Sequence, residues 1–211
     1  MRILITAGGT REYIDPVRFI SNASSGRMGY ALARAALRAG HKVTLITAPA
    51  SQRPPGTANI VKVETTARMF EAVKKYFGRC DCLIMAAAVA DYTPEKPAKN
   101  KIKKTSEHLS IKLKPTPDIL KWAGRHKKKN QIVVGFALED RAVHIRAEEK
   151  LNQKNLDMII ANTPAAIGAE KSSVQIKSPD SSWSKIENAA KATISKKIIR
   201  LIEKLHQVSL K

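Results

Sequence analysis

Two short runs near the amino terminus combine the residue types that bind phosphate. Ala7-Gly8-Gly9-Thr10 ends an apolar stretch, and glycines there let the chain turn sharply and a ligand approach the backbone. Ser24-Ser25-Gly26-Arg27-Met28-Gly29 then opens a helical pattern. It offers two hydroxyls, unpaired backbone N–H groups and the positive end of a helix dipole. If the two runs meet in one crevice, Gly9, Thr10, Ser24, Ser25 and Gly26 form a phosphate cradle.

The cradle is of neither common kind. A dinucleotide fingerprint needs G-x-G-x-x-G directly between strand and helix, and an acidic residue at the end of the second strand. Here the segment Arg11 to Ser21 intervenes, and the second strand ends Leu45-Ile46-Thr47-Ala48-Pro49 without a carboxylate. No G-x-x-x-x-G-K-[ST] occurs either. Tyr92 and Lys96 have the spacing of a short-chain dehydrogenase pair and keep an NAD(P)H-dependent reductase as the rival reading. Pro94 between them argues against the helix that pair requires.

The elements that must position these residues alternate between short β-branched runs and helical patterns, the signature of βαβ units and a parallel sheet. The pattern predicts strands over Arg2 to Ala7, Lys42 to Thr47, Asn59 to Val63, Asp81 to Ala87, Ile111 to Leu113, Gln131 to Phe136 and Asp157 to Ala161. Helices are predicted from Arg27 to Ala39, Thr66 to Phe77, near Asp118 to Gly124, and from Ala142 to Lys154. Ala90 to Leu109 shows no periodicity and carries Pro94 and Pro97, so a surface flap is expected over about 92–109. A hairpin and final helix are expected over about 172–207. The predicted fold is α/β: a Rossmann-like three-layer α/β/α sandwich with a mostly parallel central sheet of about five to seven strands and a long flap loop, in one domain spanning 1–211.

Bulk properties narrow the setting. No apolar run approaches the ~18 residues of a membrane span. Cys80 and Cys82 match no zinc spacing and predict reduced, buried thiols in a cytoplasmic protein. The 38 basic against 18 acidic side chains leave a net charge of +20, which implies anionic partners. Between Lys96 and Lys129 stand 12 Lys and Arg against Glu107 and Asp118. A nucleic-acid module is the third reading of that stretch, but Trp122 is its one stacking platform, which argues against it.

The residues themselves resemble a family. Ile5-Thr6-Ala7-Gly8-Gly9-Thr10-Arg11-Glu12, Ile14-Asp15-Pro16-Val17-Arg18-Phe19-Ile20-Ser21-Asn22 and Ser24-Ser25-Gly26 resemble the opening of phosphopantothenoylcysteine synthetase. The resemblance continues in order through Ala86-Ala87-Ala88-Val89-Ala90-Asp91-Tyr92, Lys101-Ile102-Lys103-Lys104, Pro115-Thr116-Pro117-Asp118-Ile119-Leu120, Gly135-Phe136-Ala137-Leu138-Glu139 and Lys150 through Asn162. In bacteria this synthetase is commonly the carboxy-terminal half of the bifunctional coenzyme A biosynthesis flavoprotein.

The resemblance implies a ligase joining 4′-phosphopantothenate to L-cysteine through an acyl-nucleotide, with CTP favoured over ATP as co-substrate and Mg²⁺ as cofactor. It implies Asn22 and Lys101 as catalytic residues, the first handling the acyl-nucleotide and the second closing on it from the flap. Asp91 is the implied metal ligand. Ala88, Phe136, Ala137, Lys150 and Lys154 join the cradle as nucleotide-binding residues, and Arg18 with Asn22 binds substrate. A homodimer with sites near the subunit boundary is also implied. Ile3-Leu4-Ile5 directly after Met1 leads to the expectation of a stand-alone synthetase working beside a separate flavin-dependent decarboxylase. The chain departs from the family pattern at Tyr13, Ala23 and Arg27, none of them a proposed catalytic group.

Overall fold

The structure is a computed structural model that describes residues 1–106 and 108–209. Glu107, counted in the charge balance and within the expected flap, lies outside the described residues. In chain order the elements are β1 (Arg2–Ala7), β2 (Arg11–Tyr13), β3 (Phe19–Ser21), α1 (Arg27–Arg38), β4 (Lys42–Thr47), β5 (Asn59–Lys62), α2 (Thr66–Phe77), β6 (Cys82–Met85), β7 (Tyr92–Pro94), β8 (Leu113–Pro115), α3 (Ile119–His126), β9 (Ile132–Leu138), α4 (Val143–Gln153), β10 (Met158–Asn162), β11 (Lys171–Lys177), β12 (Ser184–Ala190) and α5 (Lys191–Ser209).

Eight strands form the central sheet in the order β12-β11-β10-β9-β6-β1-β4-β5. The six from β10 to β5 run parallel, and β11 and β12 close one edge antiparallel. The sheet is wider than composition suggested because the tail hairpin joins it. Ile3-Leu4-Ile5, Leu83-Ile84-Met85 and Met158-Ile159-Ile160 are continuous apolar runs, as strands covered on both faces must be. Alternation along β1 splits the core: Ile3 and Ile5 face α1 and α5, while Leu4 faces the layer of α2, α3 and α4.

The chain leaves β1 through α1 to β4 on one side and returns from β5 through α2 to β6 on the other. The carboxyl ends of β1 and β6 therefore diverge at a topological switch point, where open α/β sheets bind ligands. Two small hairpins guard that end. Arg11 to Ser21 folds into β2–β3, tightened where the Asp15 carboxylate accepts the N–H groups of Val17 and Arg18, each at 2.8 Å. Asp15-Pro16 is a turn-initiating pair that could have revealed it from sequence.

The stretch after Ala90 has more order than its lack of periodicity suggested. β7 pairs antiparallel with β8, which begins two residues later than predicted. Tyr92 is thus on a strand with Pro94, not on a helix with Lys96. Trp122 is no free stacking platform either, since it packs against Phe70 and Phe77 with ring centroids 5.5 Å apart in each case. No helix among the described residues is long and apolar enough to cross a membrane.

Candidate active site

At the switch point lies a cavity of about 730 Å³, lined on one side by Asn22 to Gly29 and on the other by α3, α4 and the ends of β6 and β9. Gly26 makes the first wall possible. It takes φ +72°, and a Cβ there would meet Ala50 at 2.6 Å, so the left-handed turn into α1 needs glycine sterically as well as conformationally. Glycine supplies no side-chain cap at this N-cap, and the first bond reaching back is Tyr30 N–H to Gly26 O at 3.1 Å. The amides of Arg27, Met28 and Gly29 therefore have no acceptor inside the helix, and no acidic residue stands in the first turn. Free amides and the positive end of the helix dipole are the groups with which a helix terminus can receive an anion.

Asn22 enters from the end of β3. Its Nδ2 donates to Val89 O at 2.9 Å, which turns the amide oxygen away from that carbonyl. Ser24 and Ser25 line the same cavity, and Ser24 Oγ accepts the Gly26 N–H at 3.3 Å. Ala88 also lines it.

Gly9 and Thr10 do not join this wall as phosphate donors in the structure. The Gly9 amide donates to Pro49 O at 3.4 Å and the Thr10 amide to Ala88 O at 3.2 Å. Thr10 is fully buried, its hydroxyl accepting the Ala90 amide at 2.9 Å and lying 3.0 Å from Thr66 Oγ1. The pair lies beneath the cavity and braces it. Gly9 reaches only a shallower hollow that it shares with Asn22, Ser24 and Ser25.

Across the cavity stand Phe136, Lys150 and Lys154. Lys150 Nζ donates to Phe136 O at 2.8 Å, and burial, then the neighbouring Lys154 charge, lowers its pKa. Lys154 pairs with Asp118 at 2.9 Å. Burial pulls the Asp118 carboxyl upward, but the Lys121 amide and Lys154 together hold it below its ordinary value. Ala137 is separated from them: its side chain is fully buried toward the α2–α3–α4 layer and does not line the cavity. Period two along β9 sends neighbours Phe136 and Ala137 to opposite faces, which a motif match does not reveal.

Asp91 lines the cavity and makes no ion pair among the described residues, whereas Asp118 and Glu139 face Lys154 and Arg146. One carboxylate, phosphate oxygens and water suit Mg²⁺, which rarely uses an all-protein cage. Among the described residues no group of three or more His, Cys, Asp or Glu could hold a metal.

Lys101 and Arg18 lie outside the cavity lining. Lys101 is exposed on the flap, beside a residue held at both polar ends: Ile102 N–H donates to Asp15 Oδ2 at 3.1 Å, and Ile102 O accepts Arg18 Nη2 at 2.7 Å. Arg18 is further committed to Asp15, with Nε to Oδ2 at 2.9 Å. Arg18, expected to bind substrate phosphate, here ties down the flap. Residues that sequence reasoning did not assign also line the cavity, notably Thr116, Asn162 and Lys191, beside Arg27 of the helix-opening run.

Comparisons with known proteins extend along nearly the whole chain. It is 46% identical over 206 residues to a protein of an unknown prokaryotic organism named cysteine/cysteine sulfinic acid decarboxylase, covering 95% of this chain and 57% of that one. It is 40% identical over 203 residues to the coenzyme A biosynthesis bifunctional protein CoaBC of Borreliella burgdorferi, covering 95% of this chain and 52% of that one. The chain thus spans about half the length of these curated relatives. The crystal structure of the C-terminal domain of a CoaBC protein superposes with a TM-score of 0.84 and 37% identity, covering 98% of this chain and 95% of that domain. With residues 1–205 matched by the corresponding family model, this chain belongs to the DNA/pantothenate metabolism flavoprotein C-terminal domain family.

Proposed function

We propose that the cavity joins 4′-phosphopantothenate to L-cysteine through an acyl-nucleotide, with CTP as the preferred nucleotide. One observation carries the reading. Asn22, Ser24 to Gly26, Asp91, Lys150 and Lys154, far apart in sequence, line a single cavity that begins at the free amides of a helix terminus. Similarity to the C-terminal domain of a CoaBC protein supports the same activity.

In the first step a carboxylate oxygen of phosphopantothenate attacks the α-phosphorus of the triphosphate, and the α–β bridging oxygen leaves with pyrophosphate. The amides opening α1 and the Ser24 and Ser25 hydroxyls hold phosphate oxygens. Mg²⁺ carried by the triphosphate and Asp91 would neutralise phosphate charge. Lys101, brought in by the flap, adds a cation to the developing charge.

In the second step the cysteine amine attacks the acyl carbon. The carboxyl oxygen bound to phosphorus departs with the nucleoside monophosphate, and the amine proton leaves to solvent. Asn22 supplies a neutral amide oxygen that accepts from the incoming amine without adding charge. Phe136, Lys150 and Lys154 hold the base end.

The protein acts as a homodimer in the cytoplasm, beside a flavin-dependent decarboxylase activity. Val17 and Phe19 on one hairpin, with Tyr92, Leu109, Ile111 and Leu113 on or beside the other, are exposed apolar side chains that favour a partner surface. The free thiols of Cys80 and Cys82 suit a reducing compartment.

The test supplies purified protein with phosphopantothenate, cysteine, Mg²⁺ and either CTP or ATP. The expected products are CMP and pyrophosphate, dependent on both substrates, with slower turnover of ATP. Release of CDP and phosphate would overturn the acyl-nucleotide step.

A further inference from the structure

Arg27 and Lys191 open the two helices that pack side by side on one face of the sheet, α1 and α5. Both line the cavity at the end away from Lys150 and Lys154, which lie across the sheet on and just beyond α4. Both also line a second hollow of about 800 Å³ between α1 and α5, together with Arg34, Arg38, Lys196 and Arg200. The two cations therefore stand where the cavity opens into a basic groove.

No carboxylate among the described residues pairs with them. Among the described residues neither forms an ion pair, although Glu170 and Glu203 line the groove and Glu203 is taken by His41 at 2.8 Å. Their contacts are to carbonyls of the loop after β10: Arg27 Nη1 to Gly168 O at 3.0 Å and Lys191 Nζ to Ala166 O at 3.3 Å. Arg27 Nε is buried and has no hydrogen-bond partner. Burial, then the nearby Arg27 charge, lowers the Lys191 pKa. Two mutually repelling cations and an unfilled guanidinium donor are an arrangement that an anion would relieve.

We propose that Arg27 and Lys191 clamp the β,γ-diphosphate of the nucleotide and then the released pyrophosphate, which departs along the α1–α5 groove. The assignment rests on the acyl-nucleotide reading, which sets the base by Lys150 and Lys154 and so directs the distal phosphates toward α1. The guanidinium fork matches two phosphate oxygens while the ammonium supplies a point charge. The Arg27, Met28 and Gly29 amides supply the floor.

Calorimetric titration of inorganic pyrophosphate, CMP and 4′-phosphopantothenate, each alone, into wild type, Arg27→Gln and Lys191→Met tests the clamp. Pyrophosphate affinity falls roughly tenfold or more in each variant, as expected for losing one partly desolvated charge contact. CMP and phosphopantothenate affinities stay within about twofold, below the ~1.4 kcal/mol that a tenfold change represents. Arg27→Lys retains most of the pyrophosphate binding, which separates loss of charge from loss of fold. Unchanged pyrophosphate binding, equal loss of all three ligands, or loss of phosphopantothenate alone would each overturn the clamp. The titration stands apart from turnover: CDP and phosphate as products would remove the acyl-nucleotide reading while leaving the measured pyrophosphate site intact.

Discussion

The Asp15 carboxylate accepts the backbone N–H of Ile102 at 3.1 Å, joining the first hairpin to the flap across 87 residues of sequence. The neighbouring Arg18 guanidinium binds the same carboxylate and the Ile102 carbonyl. Lys101 is thus one residue from a double anchor, and its reach is set by a hairpin that precedes it in the chain.

Replacing Asp15 with asparagine removes the charge and frees the flap. Trypsin should then cut after Lys101, Lys103 and Lys104 several-fold faster than in wild type, with turnover reduced and nucleotide affinity little changed. Equal cleavage rates would show that the anchor does not restrain the flap.

Arg18 holds the Asp15 carboxyl far below the usual aspartate range, and the Val17, Arg18 and Ile102 amides add to the effect against desolvation. A group whose native pKa is depressed stabilises above its unfolded value, near ~4, and loses that stabilisation as pH falls through the native value. Flap protection against a broad-specificity protease should therefore be constant from roughly pH 5 to 8 and fail only in strong acid. Progressive loss between neutral pH and about pH 5 would contradict the depressed value.

Lys101→Gln and Asn22→Asp should separate the two chemical steps. The first lowers acyl-nucleotide formation on the order of 10²–10³-fold, the range for a lost charge-stabilising group. The second still consumes nucleotide, but cysteine chases the intermediate to product slowly because a second negative charge meets the amine and phosphate. Quench-flow with labelled nucleotide reads both, and wild-type kinetics in either variant would remove the assigned role.

Gly26→Ala places a Cβ in a left-handed turn and against Ala50. The strain should cost about 1–3 kcal/mol, lowering Tm by roughly 3–10 °C for a chain of this size. Nucleotide affinity should fall with it. A stability change without an affinity change would place the anion site elsewhere.

Burial pushes the Cys80 thiol up to about 11 and Cys82 well above its ordinary value. Iodoacetamide at pH 8 should leave both nearly unmodified in the native protein and alkylate both in denaturant. Rapid native labelling would mean that the strand end opens readily.

Val17→Asp combined with Leu109→Asp should convert a dimer into a monomer in light scattering. Ile145→Asp, an equally exposed apolar position on α4, should leave the mass unchanged.

Most of the architecture was legible because long apolar runs such as Ile132-Val133-Val134 and helices with clear stops such as Gly40 carry their own signals. The misses have local causes. β2, β3, β7 and β8 are three residues each, too short for periodicity, and their pairing comes from Asp15 and from partners as far apart as Tyr92 and Pro115. Asn22, Asp91 and Lys150, which line the cavity, were singled out because ordered motifs carried them. Thr10 and Ala137 were carried by the same motifs, but whether a side chain lines the cavity or braces it depends on strand facing. Lys191 lies in no motif and joins the site only because α5 packs against α1.

The central position of β1 also bears on synthesis. It meets β4 on one side early, but its other neighbour is β6, and Thr6 waits 79 residues for Met85. A nascent chain that has not yet emerged past Cys82 presents one unpaired edge of Ile3, Leu4 and Ile5, the kind of edge that recruits stray strands. Vectorial folding therefore has a vulnerable interval, and its length is fixed by the same crossover that creates the binding crevice.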